Sequence, residues 1–491
     1  MPIVKKTVVS TFSLAMMTAA AVVSLRGLPM MAKEQLTLFV YIAFATFIFL
    51  IPAALVSAEL GGAFGERGGG VYTWVKEAFG ARWGFVAIWL QWIQNVVWYP
   101  TVLAFSAAAI AYVVGKPTLA NNGWYVGVFC IVAYWAATWI TLRGVDAIAK
   151  VTSWAFLAGT VLPGVIIMVL AVIWIVQGNP IAMLHPVSTD SASVMSMAGG
   201  HAHPRYFPAI TGLGDIAFLA GIILLFAGVE VHAVHANEMA NPQRQFPMAM
   251  LIASVAVILL FTLGSFAVAT VLPDAQINLQ EGLMKAFQLI FARFGIGWAT
   301  PIVCVLLAFG GIGGVMSWIS GPSRGLLWTA QEGEIPPFLA KTNKNGVQIS
   351  ILLVQGGIVT VLALTYFMMA DVSVAFFLLS AMTITLYLVM YMLMYAAAIR
   401  LRYSQPDLKR SYRVPGGVVG MWIIAGVGFV GVAFSFLVGF FPPTQLPVGS
   451  PTLYVGLVVG GTILFTGLPL LISMMKQSSW RAVVHPPVAA E

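Results

Sequence analysis

The feature that most constrains this chain is a cluster of ionisable residues that follows an apolar segment. Residues 216–227 are apolar, and residues 228–238 then introduce Glu230 and His235. A carboxylate at the centre of a membrane helix costs roughly 2.5–3.5 kcal/mol on insertion scales, so Glu230 is expected to face a cavity, a partner or a proton. The alternative is that Glu230 lies past the end of an ordinary helix. The run 208–236 exceeds the ~20 residues that cross hydrocarbon, which favours two half-helices joined by unwound backbone.

The composition excludes an ordinary soluble domain. The chain of 491 residues is 60% hydrophobic and 8% charged, with a mean hydropathy of +0.95, whereas soluble domains carry about 25% charged residues. We therefore predict an all-α polytopic membrane protein in a lipid bilayer. Cys130 and Cys304 lie in apolar runs and are expected to pack as small hydrophobic side chains. The net charge of +8 does not indicate a nucleic-acid partner, because most of the 24 basic residues fall in short loops between apolar segments.

Counting the apolar runs predicts about twelve transmembrane helices. Their approximate ranges are 11–32, 36–57, 83–113, 124–142, 152–176, 208–236, 246–271, 298–320, 349–369, 373–399, 418–441 and 452–475. Lys5 and Lys6 precede an apolar segment without a clear cleavage site, so no signal peptide is expected. With a cytoplasmic N-terminus, the loops richest in lysine and arginine fall on the inner side, as the positive-inside rule requires. Both termini are therefore predicted to be cytoplasmic.

The first predicted helix contains an interruption of its own. Gly27 and Pro29 weaken the helical ladder, and the same stretch places a cation among apolar residues; the candidate site residues here are Ser24, Leu25, Arg26 and Gly27. A simple proline kink is the alternative. Because helices 1 and 6 are each the first of five, matching interruptions predict two inverted halves.

The two interruptions define the predicted organisation and substrate site. The halves are residues 1–177 and 178–400, followed by accessory helices at 401–475 and a short tail at 476–491. The interruption in helix 6 is placed at Ala227, Gly228 and Val229. Unwound backbone at both places would present free N–H and C=O groups to a substrate, and half-helix N-termini would attract its carboxylate.

Further positions are candidates for the same site. The third helix carries an unusual cluster of aromatic and amide residues, of which Asn95 and Trp98 lie well inside the span and are expected to need a partner or a ligand. Trp318, one turn beyond a run of glycines in the eighth helix, is expected to be a packing residue or a gate. Lys150 opens the fifth helix, where its simplest interpretation is a snorkelling anchor.

The charged residues of the predicted site do not decide which substrate is carried or whether a proton is carried with it. Arg26 has no acidic neighbour in its own helix and therefore needs Glu230, another acidic group or an anionic ligand. If the ligand is the partner, the substrate carries a side-chain carboxylate or polar acceptor; if Glu230 is the partner, the substrate can be neutral. Glu230 and His235 are also candidates for loading and releasing a coupling proton. Lys150 is a further candidate for proton coupling or gating.

Other classes of function lack the residues that they require. The loop residues His185, His201 and His203 have no companion pair at zinc-ligand spacing, and the glycines at 68–70 lack the ending of a phosphate-binding loop. No nucleophile with a base and no repeated ion filter is evident, so no enzyme, metal site, cofactor or channel is predicted. The interrupted helices favour a secondary transporter of amino acids, with a transporter-like amino-acid sensor as the alternative.

Several motifs resemble those of bacterial glutamate/GABA antiporters of the amino acid–polyamine–organocation (APC) superfamily. They are Gly228–Val229–Glu230 and the stretches 235–242, 321–325, 341–347 and 406–417. The resemblance covers nearly all twelve helices. It implies a LeuT-type fold with a 5+5 inverted repeat and two accessory helices, and alternating-access transport of an amino acid in the bacterial inner membrane without sodium. It also implies that Lys150 lies near the place where some relatives hold a cation instead of sodium.

The chain departs from that family at three places. Residues 24–29 replace an aromatic and acidic segment, Gly314 replaces an acidic residue, and the tail after Met475 is too short for a folded plug. The substrate pair and acid gating therefore do not follow from the resemblance, and exchange and proton coupling both stay open.

Overall fold

The computed structural model describes residues 10–65, 67, 69–184, 206–208, 210, 212–232, 239–369, 371–443, 450–477 and 480. Within these ranges the chain is helical and contains no strands. Among the described residues, eleven helical stretches, some of them made of consecutive shorter helices, are long and apolar enough to cross a membrane. The predicted all-α polytopic class is thereby confirmed. The three loop histidines and most of the predicted tail lie outside the described residues.

The helices are numbered in chain order. They are α1 (Thr11–Val22), α2 (Leu28–Lys33), α3 (Leu38–Ala45), α4 (Ile51–Phe64), α5 (Val71–Phe79), α6 (Ala81–Val113), α7 (Gly123–Thr141), α8 (Val145–Phe156), α9 (Leu162–Val176), α10 (Ala217–Leu225), α11 (Pro242–Val271), α12 (Gly282–Arg293), α13 (Ala299–Gln331), α14 (Ile349–Ala363), α15 (Thr365–Met368), α16 (Val372–Ser404), α17 (Gly417–Val438) and α18 (Pro451–Met474).

The first predicted transmembrane helix is divided into two pieces. α1 ends at Val22, and Val23 and Ser24 adopt extended backbone angles before a single 3-10 turn, Leu25–Gly27, leads into α2. Pro29 lies at the start of α2, where its missing N–H breaks no helical hydrogen bond. The predicted interruption is therefore present as an unwound segment, not as a proline kink.

The sixth predicted helix is also interrupted. α10 ends at Leu225, and Gly228 follows with a φ of +116°, a backbone conformation that favours glycine because a Cβ would clash there. The described chain stops at His232 and resumes at Met239, so His235 and the predicted second half of this helix lie outside the described residues. Within the predicted span 208–236, the described helical part is the 3-10 turn Leu213–Ile216 followed by the nine residues of α10.

Three helices of 33 residues, α6, α13 and α16, form the centre of the bundle. α6 packs along both of the others. Glycines let α13 approach its neighbours closely: a Cβ on Gly310 would lie 2.3 Å from the carbonyl oxygen of Gly159, and one on Gly313 would lie 2.0 Å from the Cβ of Ala155. Trp318 of the same helix is buried, with 7% of its surface exposed.

A buried ion cluster joins α4 to the end of α16 and to the loop that follows. The carboxylate of Glu59 accepts hydrogen bonds from Arg402 Nε and Nη2 at 2.7 and 2.6 Å, and Arg410 Nε lies 3.1 Å from Glu59 Oε1. The backbone N–H of Val414 donates to the same carboxylate at 2.7 Å. Because the side chains of Glu59 and Arg402 are 1% and 0% exposed, this cluster holds the loop to α4 in surroundings that water does not screen.

Candidate functional site

A cavity lies between the two interrupted helices. The centre of a water-sized sphere can move through about 30 Å³ of it, and one water needs roughly 10–15 Å³ on that measure, so the cavity is narrow in this structure. Six of the predicted site residues line it: Ser24, Arg26, Asn95, Trp98, Ala227 and Trp318. The structure therefore brings residues from both interruptions, from α6 and from α13 to one place.

Trp318 connects the two interruptions. Its indole N–H donates to the carbonyl oxygen of Ala21, at the end of α1, with an N···O distance of 3.0 Å. Its ring lies 3.1 Å from where a Cβ on Gly228 would be, and it makes an edge contact with Trp98, with ring centroids 6.0 Å apart. A side chain at position 228 would therefore both strain the backbone and press on this indole.

Arg26 is buried without an ion-pair partner in the described part of the chain. The residue is 4% exposed, and its Nη1 donates to Ser380 Oγ at 3.5 Å, while its Nε has no hydrogen-bond partner. The guanidinium carbon lies 5.6 Å from the ring centroid of Trp98 and 5.2 Å from that of Phe376. Glu230 is not an ion-pair partner of Arg26 in this structure.

Glu230 lies behind the cavity in a cage of neutral donors. The residue is 1% exposed and accepts hydrogen bonds from Gln91 Nε2 at 3.0 Å and from the hydroxyls of Tyr387 and Tyr391. Tyr391 also accepts the backbone N–H of Gly228 at 2.9 Å. An ionised carboxylate only accepts hydrogen bonds, so three donors suit the charged form. The tyrosines of α16 thereby connect this carboxylate to the interruption and, through Tyr387, to the cavity wall.

The other predicted residues lie away from the cavity. Leu25 is buried and points toward Gly164, and a Cβ on Gly27 would lie 2.5 Å from a methyl carbon of Leu225. Val229 is fully buried. The side chain of Lys150, on α8, is exposed. The roles predicted for Lys150 and for His235 stay predictions.

Six of the twelve cavity residues are not among the predicted ones, and two of these six, Gln94 and Tyr387, have polar side chains. Gln94 belongs to the polar cluster of the third helix, so the prediction of its neighbour Asn95 as a site residue could have been extended to it. Tyr387 has the weaker signal of a tyrosine repeat at four-residue spacing with Tyr391 and Tyr395. That spacing places the three rings on one face of a helix but does not reveal what the face contacts.

The fold and the cavity define a class of protein: a multi-pass membrane carrier with a central site between interrupted helices. A model of the amino acid permease family matches residues 9–464. The chain belongs to the amino acid permease family. Membership confirms the predicted function of amino acid transport and the assignment to the APC superfamily.

Sequence similarity to known proteins extends along almost the whole chain. An uncharacterized transporter of Legionella pneumophila is 38% identical over 468 residues, which are 95% of this chain and 97% of the relative. A glutamate/gamma-aminobutyrate antiporter of Lactococcus lactis subsp. lactis is 30% identical over 482 residues, 98% of this chain and 93% of the relative. A probable agmatine/putrescine antiporter of the same subspecies is 23% identical over 435 residues, covering 87% of each chain. The protein is thus a multi-pass bacterial membrane protein.

Proposed function

We propose that this protein is an antiporter that exchanges amino acids across the bacterial cytoplasmic membrane by alternating access. The observation that carries the proposal is that one cavity touches both interruptions, through Ser24 on one side and Ala227 on the other. A substrate bound there contacts two segments that lack regular helical hydrogen bonds, so its binding can bias how the pieces pack. The similarity to a glutamate/gamma-aminobutyrate antiporter supports exchange.

The proposal places the two predicted halves in one carrier. Residues 1–177 and 178–400 form the inverted repeat, and 401–475 form accessory helices. Trp318 acts as the gate between them, because it is hydrogen bonded to the end of α1 and packed on Gly228. Its indole has to give way when either interrupted segment moves.

Exchange is tested with purified protein in proteoliposomes. Vesicles loaded with unlabelled L-glutamate, L-glutamine, GABA or L-leucine are placed in labelled L-glutamate or L-glutamine. We expect rapid uptake into vesicles loaded with a transported amino acid and little uptake into empty ones. Gly228→Val is the inactive control, since its side chain meets Trp318 and its φ of +116° disfavours a β-branched residue. Equal uptake into loaded and empty vesicles would refute exchange, and ligand-induced stabilisation without any flux would indicate a sensor.

The orientation is the second part of the proposal: both termini and the loop between α13 and α14 are cytoplasmic, as the basic loops indicate. Lys344 and Lys116 are both exposed and lie on opposite predicted sides. We expect a membrane-impermeant maleimide added to intact cells to label Lys116→Cys and to leave Lys344→Cys unlabelled until the cells are opened. Cys130 and Cys304 are fully buried and give little background. The reverse labelling pattern would overturn the orientation.

A further inference from the structure

Arg26 is the one charged residue among the described residues that line the cavity. Its guanidinium has five N–H donors, yet its Nε has no partner and its Nη1 makes one long hydrogen bond to a serine hydroxyl. Leaving a buried charge without a partner is strongly unfavourable. The cavity therefore contains a guanidinium group with N–H donors that the described protein groups do not accept.

The neighbours of Arg26 leave its hydrogen-bonding edge available. Trp98 and Phe376 lie within cation–π distance of the guanidinium carbon, and such a contact attracts the charge to the ring face without an oxygen acceptor. The N–H donors lie in the plane of the guanidinium and match the two oxygens of a carboxylate. Aromatic neighbours thus hold the group in place without competing for an anion.

We propose that Arg26 is a subsite for a second carboxylate, the one on the side chain of a dicarboxylic amino acid. The inference rests on the proposed function and adds its substrate class. The α-carboxylate and ammonium groups of the substrate then meet the neutral lining, which includes Ser24 and Asn95. A monocarboxylate such as GABA, or an amide such as glutamine, leaves one of the two positions without its charge. The carrier therefore selects glutamate or aspartate over both.

Ser380 offers a way to supply the missing charge from the protein. Its hydroxyl accepts a hydrogen bond from Arg26 Nη1. The same hydroxyl donates to the carbonyl oxygen of Phe376 at 2.8 Å. Ser380→Asp places a carboxylate beside the guanidinium. This variant should turn the preference from acidic to neutral amino acids, whereas Arg26→Gln should abolish the preference. Thr383→Ala is the matched control, because this buried hydroxyl of the same helix bonds only within its own helix, to Leu379.

The test compares exchange of labelled L-glutamate, L-glutamine and GABA in proteoliposomes, together with the shift in melting temperature that each compound causes in detergent. We expect the wild-type protein and Thr383→Ala to prefer glutamate to glutamine by about thirtyfold or more, the effect of a buried charge pair. Arg26→Gln should reduce the ratio to near one, and Arg26→Lys should retain part of it. Ser380→Asp should favour glutamine.

Each remaining outcome has a defined meaning. Equal exchange of glutamate and glutamine by the wild-type protein overturns the inference and leaves the proposed antiport intact. Absence of exchange for every amino acid tested contradicts the proposed function itself. The ligand could instead be an inorganic anion, so every assay is repeated with gluconate in place of chloride. Chloride-dependent stabilisation that Arg26→Gln removes, without a glutamate preference, would assign the subsite to chloride and overturn the inference.

Discussion

Glu230→Gln should lower exchange by about tenfold or more and should remove its dependence on pH. The carboxylate accepts hydrogen bonds from Gln91, Tyr387 and Tyr391. An amide places N–H donors where acceptors are needed, and each hydrogen bond to a charged group contributes about 1.5–3 kcal/mol. It also removes one of the two groups that are candidates for binding a coupling proton. The measurement is the initial rate of exchange in proteoliposomes between about pH 4 and pH 8, a range that includes the ordinary pKa values of a glutamate, roughly 4.3, and of a histidine, roughly 6.5.

The tyrosines of α16 provide graded variants and a control for this prediction. Tyr387→Phe and Tyr391→Phe each remove one donor to Glu230 and should produce smaller losses than Glu230→Gln. Tyr395→Phe is the matched control, since the Tyr395 hydroxyl donates to the carbonyl oxygen of Phe49 at 3.4 Å. If Glu230→Gln keeps the pH profile of the wild-type protein, the coupling proton is carried elsewhere. His235→Gln in the same assay then tests the other predicted group.

Glu59→Gln should destabilise the folded protein by about 3–5 kcal/mol, the usual cost of removing one partner from a buried ion pair. Glu59 holds Arg402 and Arg410 together, and its loss leaves two buried guanidinium groups without an anion between them. The backbone N–H of Val414 also loses a charged acceptor and keeps at most a neutral one. The melting temperature of the detergent-solubilised protein, followed by size-exclusion chromatography after heating, measures the effect.

A surface pair provides the control for this stability prediction. Glu77 pairs with Arg67 at 2.9 Å, but the two side chains are 27% and 56% exposed. Exposed pairs contribute roughly 0–1 kcal/mol because water screens them. Gln405 Nε2 also donates to Glu77 Oε2 at 3.2 Å, a hydrogen bond that the amide oxygen of a glutamine can still accept. Glu77→Gln should therefore leave the melting temperature nearly unchanged. Equal melting temperatures for Glu59→Gln and Glu77→Gln would show that the buried cluster does not stabilise the loop after α16.

The sequence by itself determined the class of this protein and the positions of its interruptions. Long apolar runs with few charges exclude a soluble fold, because burying so much apolar surface requires lipid. The interruptions follow from local chemistry: Pro29 begins a new helix, and Gly228 adopts a φ that other residues avoid. These effects act between residues that are neighbours in the chain, so they can be read without knowing how the helices pack.

The tertiary structure decided which groups surround the two buried charges. Ser380 is 354 positions from Arg26, and Tyr387 and Gln91 are 157 and 139 positions from Glu230. Periodicity along α16 places its tyrosines on one face but does not select the helix that this face meets. The sequence left open whether Arg26 pairs with Glu230 or with a ligand. In the structure the two do not pair: Glu230 accepts from three neutral donors, and Arg26 contacts two aromatic rings and a hydroxyl. The sequence could not show this, because contacts between distant segments depend on how whole helices fit together.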